Sequence, residues 1–133
     1  MNLYIIAVKF SMMIMDARQL EKFILNKAKK IWDQDFYTDQ IYGKVLGIIG
    51  LGSIGQEIAK KASLMGLEVY GVRRIVEEFP YVKQVYSNED MDVIFRKCDY
   101  IIKCISDVFA VEPLPQSSPL WDLDNITITP HIC

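Results

Sequence analysis

The sequence predicts an α/β domain with a mainly parallel sheet, and three observations carry that expectation. Val45 to Ile49 is a short, nearly continuous apolar run, as expected of a parallel strand covered on both faces. A glycine-rich turn from Gly50 to Gly55 follows it directly. Ile54, Ile58, Ala59, Ala62 and Met65 then recur at helical spacing up to Gly66, a natural C-terminal stop, and Leu67 to Val72 reads as a second strand. Strand, turn, helix and strand make a βαβ unit, whose crossover is right-handed in nearly all proteins.

The flanking elements follow from the same rules. From Tyr4 to about Ile31 there is neither proline nor glycine, and Leu20, Phe23, Ile24 and Ala28 keep helical spacing. This predicts a long N-terminal helix or a broken pair, and Trp32 to Tyr42 reads as a loop. Beyond Pro80, Val82 to Val85 is a candidate short strand. Asn88 is the expected cap of a helix running to Lys97, with Glu89, Asp90 and Asp92 in the first turn, where the helix dipole favours them. Tyr100 to Ile105 is a further strand, Glu112 to Pro119 an irregular proline-rich loop, and Ile126 to Thr129 a last short strand ending at Pro130. Alternating strands and helices define the α/β class.

Composition narrows the function classes. The chain has 133 residues, 51% of them apolar and 24% charged, with a formal net charge of −2. That suits one soluble domain with a real core and excludes a basic surface for nucleic acid. Cys98, Cys104 and Cys133 have no metal-ligand or disulfide spacing, which implies reduced thiols in a cytoplasm. With His131 as its only histidine, the chain has no imidazole-based zinc site, and no metal is expected. The apolar stretch Leu3 to Met15 is interrupted by Lys9 and is shorter than the roughly 20 residues that span a bilayer, so no membrane partner is expected.

The glycine turn carries the chemistry. Gly50, Gly52 and Gly55 form G-x-G-x-x-G between an apolar strand and a helix, the context that marks a Rossmann-type dinucleotide loop. Gly50 allows the tight turn, Gly52 lets backbone approach a pyrophosphate, and Gly55 lets helix and strand pack closely. The amides of Ser53 and Ile54 then face the anion from the helix N-terminus. The bland alternative is a tight turn that binds nothing. At the end of the second strand, where an acidic residue usually meets the adenine ribose, stand Arg73 and Arg74. Guanidinium groups bind a 2′-phosphate that a carboxylate would repel, so NADP(H) is expected over NAD(H), with a pair of solvated arginines as the competing reading.

Two longer stretches extend the argument. Tyr42 to Gly55 (YGKVLGIIGLGSIG), its continuation to Arg74, and Asp107 to Ile132 (DVFAVEPLPQSSPLWDLDNITITPHI) closely resemble the D-isomer-specific 2-hydroxyacid dehydrogenases. The helix from Tyr4 to Trp32 resembles the one that leads into that family's cofactor domain. The resemblance implies hydride transfer between nicotinamide and a small 2-hydroxy or 2-keto acid. It also implies that His131 of the TPH motif is the acid/base and that Glu112 of the EP motif pairs with it. A neighbouring carboxylate orients an imidazole and favours its protonated form. Family members are commonly dimers through this domain, so a homodimer is a further implication.

The departures bear on activity. The expected organisation is a single NAD(P)-binding domain over 1–133, with 1–42 as leading helix and loop, 43–133 as core, and the family's substrate domain absent. Ser106 runs straight into Asp107 where the family has several dozen residues, including a strand, a helix and an N-x-x-R-G arginine that no residue here matches. Cys104-Ile105-Ser106 also lacks the proline usual near the nicotinamide. Without that arginine the substrate carboxylate loses its grip, so the chain alone is expected to be a weak or inactive catalyst. The sheet is expected to be incomplete, with Lys103 suited to an exposed edge. Two readings of the junction stay open: a truncated descendant, or part of a longer enzyme. The competing class is a non-catalytic, nucleotide-binding or self-associating module.

Overall fold

A computed structural model describes residues 3–104 and 115–122. It is an α/β structure in three layers around a four-stranded parallel sheet. In chain order the elements are α1 (Leu3–Ala17), α2 (Leu20–Ala28), β1 (Val45–Ile49), α3 (Ser53–Leu64), β2 (Glu68–Val72), β3 (Gln84–Tyr86), α4 (Met91–Lys97) and β4 (Tyr100–Lys103). The strand order is β3-β2-β1-β4, so the chain leaves β1 toward one edge and returns on the other side of it. The Rossmann-type sheet and the N-terminal helix are therefore as the sequence predicts.

The period-two alternation of β1 sorts its residues between two cores. Leu46 and Ile48 join Ile6, Phe10 and Met13 of α1, Ile58, Ala59 and Ala62 of α3, and Val69 and Ile102. Val45 and Ile49 face the other way, toward the cluster of Tyr70, Val72 and Ile94 under α4. Gly47 also faces α4, where a Cβ would lie 2.8 Å from Ile94 Cγ2. Both faces of the sheet are thus covered, which is why β1 has no polar residue.

The N-terminal helix is a broken pair. Gln19 adopts a left-handed backbone (φ 54°) that ends α1 and starts α2 on a new axis. α1 buries Ile6, Phe10, Met13 and Ala17, a stripe at helical spacing, whereas α2 buries none of its residues. The loop that follows returns to α1, with Asp39 N–H donating to the Ala17 carbonyl at 2.7 Å.

Two local expectations need correction. The cap before α4 is Ser87, not Asn88: Glu89 N–H donates to Ser87 Oγ at 3.2 Å, and Ser87 Oγ donates to Asp90 Oδ2 at 2.8 Å. Ser87 has the extended backbone a cap needs, while Asn88 already lies in the 3₁₀ turn Asn88–Asp90. The short strand is Gln84–Tyr86 rather than Val82 to Val85, because its register against β2 runs from Tyr70↔Gln84 to Val72↔Tyr86. Pro115 to Ser118 is irregular and leads into a 3₁₀ turn at Pro119–Asp122. The expected last strand from Ile126 to Thr129 lies outside the described residues.

Among the described strands β4 is an edge, pairing with β1 from Leu46↔Tyr100 to Ile49↔Lys103. Lys103 is its exposed last residue. No helix among the described residues is long and apolar enough to cross a membrane.

Candidate cofactor-binding site

The parallel register brings the C-terminal ends of three strands to one level. Ile49 is opposite Val72 on one side and Lys103 on the other. The glycine turn, Arg73 and the exit from β4 therefore leave the sheet at the same end. β1 lies where the strand order changes direction, and in open α/β sheets ligands bind in the crevice at that switch point.

The turn itself is built for close approach. Gly50 has φ 98°, in the left-handed region, and its N–H donates to the Val72 carbonyl at 3.0 Å. A Cβ on Gly55 would lie 2.1 Å from the Gly50 carbonyl oxygen, so only glycine lets the first turn of α3 pack against the end of β1. Gly52 differs from both: a Cβ there would meet nothing within 4 Å. Its lack of a side chain is not required by its neighbours and leaves open space above the backbone.

Gly52 is also the N-cap of α3, with no side-chain cap, and the first turn holds no acidic residue. Helix geometry leaves the first N–H groups without intrahelical partners, and their dipoles make a partial positive charge. The amides of Ser53 and Ile54 thus stay available to an anion such as a pyrophosphate, and the site fits a dinucleotide. Gln56 is a contributor that pattern reading missed: its Nε2 donates to the Leu51 carbonyl at 3.0 Å and ties the turn to the helix. Leu51, nearly fully buried, supports the turn from below, where a Cβ on Gly71 would lie 2.4 Å from its Cδ1.

Arg73 and Arg74 follow β2 on the same end, and they differ. Arg73 N–H donates to the Tyr86 carbonyl at 3.0 Å, fixing its root to β3. Its guanidinium is ion-paired with Glu77 and sits 5.0 Å from the Phe79 ring centre. Arg74 is exposed and has no ion-pair partner among the described residues. Glu112 and His131 lie outside the described residues.

Comparison with known proteins now bears on this geometry. Residues 10–106 and 101–133 match the family model of the D-isomer specific 2-hydroxyacid dehydrogenase NAD binding domain. The chain belongs to the D-isomer-specific 2-hydroxyacid dehydrogenase family. Its match to the family comes in two segments that meet at the β4 exit, where Ser106 runs into Asp107. The D-3-phosphoglycerate dehydrogenase of Methanocaldococcus jannaschii is 24% identical over 174 aligned positions, covering 90% of this chain and 33% of that protein. An alignment longer than the chain's own 133 residues means that this relative carries several dozen residues that this chain lacks.

Solved structures agree on the fold. Phosphoglycerate dehydrogenase from Lactobacillus plantarum superposes with TM-score 0.77 at 22% identity, over 96% of this chain and 58% of that one. The NADPH-dependent glyoxylate/hydroxypyruvate reductase of Sinorhizobium meliloti, in complex with NADP and sulfate, superposes with TM-score 0.69 at 19% identity, over 91% and 55%. The chain spans between about a fifth and a third of the first curated relatives it matches.

Proposed function

We propose that this chain is the cofactor-binding part of an NAD(P)-dependent 2-hydroxyacid dehydrogenase, with NADP(H) preferred and NAD(H) accepted. The observation that carries it is the uncapped N-terminus of α3 under a turn whose glycine at position 52 is demanded by no neighbour. Bound there, the dinucleotide supplies the hydride exchanged with C2 of a small 2-hydroxy or 2-keto acid. Ser53 and Ile54 donate backbone N–H groups to its pyrophosphate, and Gly52 keeps the approach clear. Arg73 and Arg74, at the end of β2, hold the adenosine 2′-phosphate.

His131, oriented by Glu112, gives and takes the proton at the substrate oxygen in this reading. No arginine matches the one that grips the substrate carboxylate, so turnover by this chain alone is weak or absent. The three cysteines without a pairing pattern suit a cytoplasmic setting. A second reading, a self-associating module, is favoured by one feature: Leu3, Tyr4, Ile14 and Met15 on α1 and Phe23, Ile24 and Leu25 on α2 are all exposed. A homodimer would cover these apolar side chains.

The test is a titration with NADPH and NADH, followed by assay of NADPH oxidation with glyoxylate or hydroxypyruvate. Saturable binding that favours NADPH supports the cofactor reading, and measurable turnover supports the enzyme over the binding module. Equal affinity for the two cofactors removes the 2′-phosphate assignment, and binding of neither removes the cofactor site.

A further inference from the structure

The chain segment that follows β2 turns an acidic side chain back onto one of the two arginines. Residues 73–79 form no helix, yet Glu77 reaches the Arg73 guanidinium, and Phe79 flanks the same group at 5.0 Å. Because Arg73 N–H is bonded to Tyr86 in β3, the root of the side chain is fixed and only its tip is free to change partner. Arg74 is exposed beside it without an ion-pair partner among the described residues.

We infer that Glu77 is a specificity-determining residue: it competes with the 2′-phosphate of the cofactor for Arg73 and so narrows the preference for NADPH over NADH. This rests on the assignment of Arg73 and Arg74 to that phosphate. Arg73 and Glu77 are 38% and 52% exposed, and ion pairs in such settings hold weakly. A phosphate, with more charge and more acceptor oxygens than a carboxylate, displaces Glu77 from Arg73. The displaced carboxylate stays on the same short segment and repels the incoming phosphate. NADH has a hydroxyl there, leaves the Arg73–Glu77 pair intact, and pays no such penalty. Glu77 therefore acts on one cofactor and not on the other, through Arg73.

The experiment uses the full chain and its Glu77→Gln variant, which keeps shape and removes charge. Dissociation constants for NADPH and NADH are measured by calorimetry at low and high ionic strength. Glu77→Gln should tighten NADPH by about three- to tenfold at low salt and change NADH by less than about twofold, with a smaller gain at high salt. In an Arg73→Ala background, where no pair exists, the gain from Glu77→Gln should shrink. An equal effect on both cofactors, or none on either, overturns the inference. A wild type that prefers NADPH, loses that preference with Arg73→Ala and ignores Glu77→Gln overturns the role of Glu77 alone. A wild type with no preference, or with no NADPH binding, overturns the phosphate assignment and this inference with it.

Discussion

Alanine at Gly52 and alanine at Gly55 separate binding from folding, because the two glycines share a turn but not a reason. At Gly55 a Cβ would sit 2.1 Å from the Gly50 carbonyl oxygen, whereas real Cβ contacts essentially never come under 3.0 Å. The neighbour is backbone, so the start of α3 must back away by about 1 Å, at a cost near the upper end of overpacking, about 3 kcal/mol. The helix-propensity gain of alanine over glycine offsets about 1 kcal/mol of that. A net loss near 2 kcal/mol lowers Tm by roughly 6–10 °C in a chain of this size.

At Gly52 a Cβ meets nothing within 4 Å, and φ −74°, ψ −168° suits any residue. Exchanging one uncapping residue for another at the N-cap costs under about 1 kcal/mol, a Tm change below roughly 5 °C. Under the proposed cofactor assignment the new methyl group instead fills the space through which a pyrophosphate would reach the backbone, and the expected loss of NADPH affinity is at least about tenfold, or 1.4 kcal/mol. Thermal melts by circular dichroism and titrations by nicotinamide emission give the two readouts. Gly52→Ala should keep its Tm and lose the cofactor, and Gly55→Ala should lose both. A Gly52→Ala chain that melts and binds like the wild type would refute the reasoning and leave the turn a mere strand-to-helix connection.

Three further outcomes are expected. Arg74→Ala should weaken NADPH by about 1–3 kcal/mol and spare NADH, since an exposed guanidinium bonded to a phosphate makes charge-assisted bonds that a hydroxyl does not replace; equal loss for both cofactors would contradict it. Burial pushes the thiols of Cys98 and Cys104 up to about 11 each, helped at Cys98 by Asp99 and opposed at Cys104 by Lys9. Because the unfolded chain gives up these protons near pH 9.0 while the folded chain keeps them, their stabilisation is whole below pH 9.0 and falls as pH rises toward 11. Urea midpoints on either side of pH 9.0 measure this, and the double Ser variant should flatten the decline; an unchanged decline would show that other groups control it. The exposed apolar side chains of α1 and α2 predict self-association, and Ile24→Glu should shift the mass measured by light scattering toward the monomer; a wild type already monomeric at high concentration would rule it out.

How much was legible varies by element. The run from β1 through the glycine turn to β2 could be read residue by residue, because strand period, turn glycines and helix stripe are local signals. The break at Gln19 could not: nothing in Arg18-Gln19 forbids a helix, and the left-handed residue follows from where α1 must lie to bury Ile6, Phe10 and Met13 against the sheet. Ser87 and Asn88 are both good caps, and the backbone leaving β3 chose between them. The Arg73–Glu77 pair has helical spacing in a segment that is not a helix, so its existence depends on the path of the loop.

By itself, then, the sequence determined the α/β class, the order of the central elements and the residues of the glycine turn. All of these rest on contacts within a few residues and on hydrophobic periodicity. Tertiary structure alone decided that Gly55 is held by packing and Gly52 is not. It also decided that Arg73 is engaged while Arg74 is exposed, and that the turn, both arginines and the exit of β4 meet at one end of the sheet. Those outcomes depend on strand register and on which backbone atoms face each other across the chain, and neither is written in local spacing.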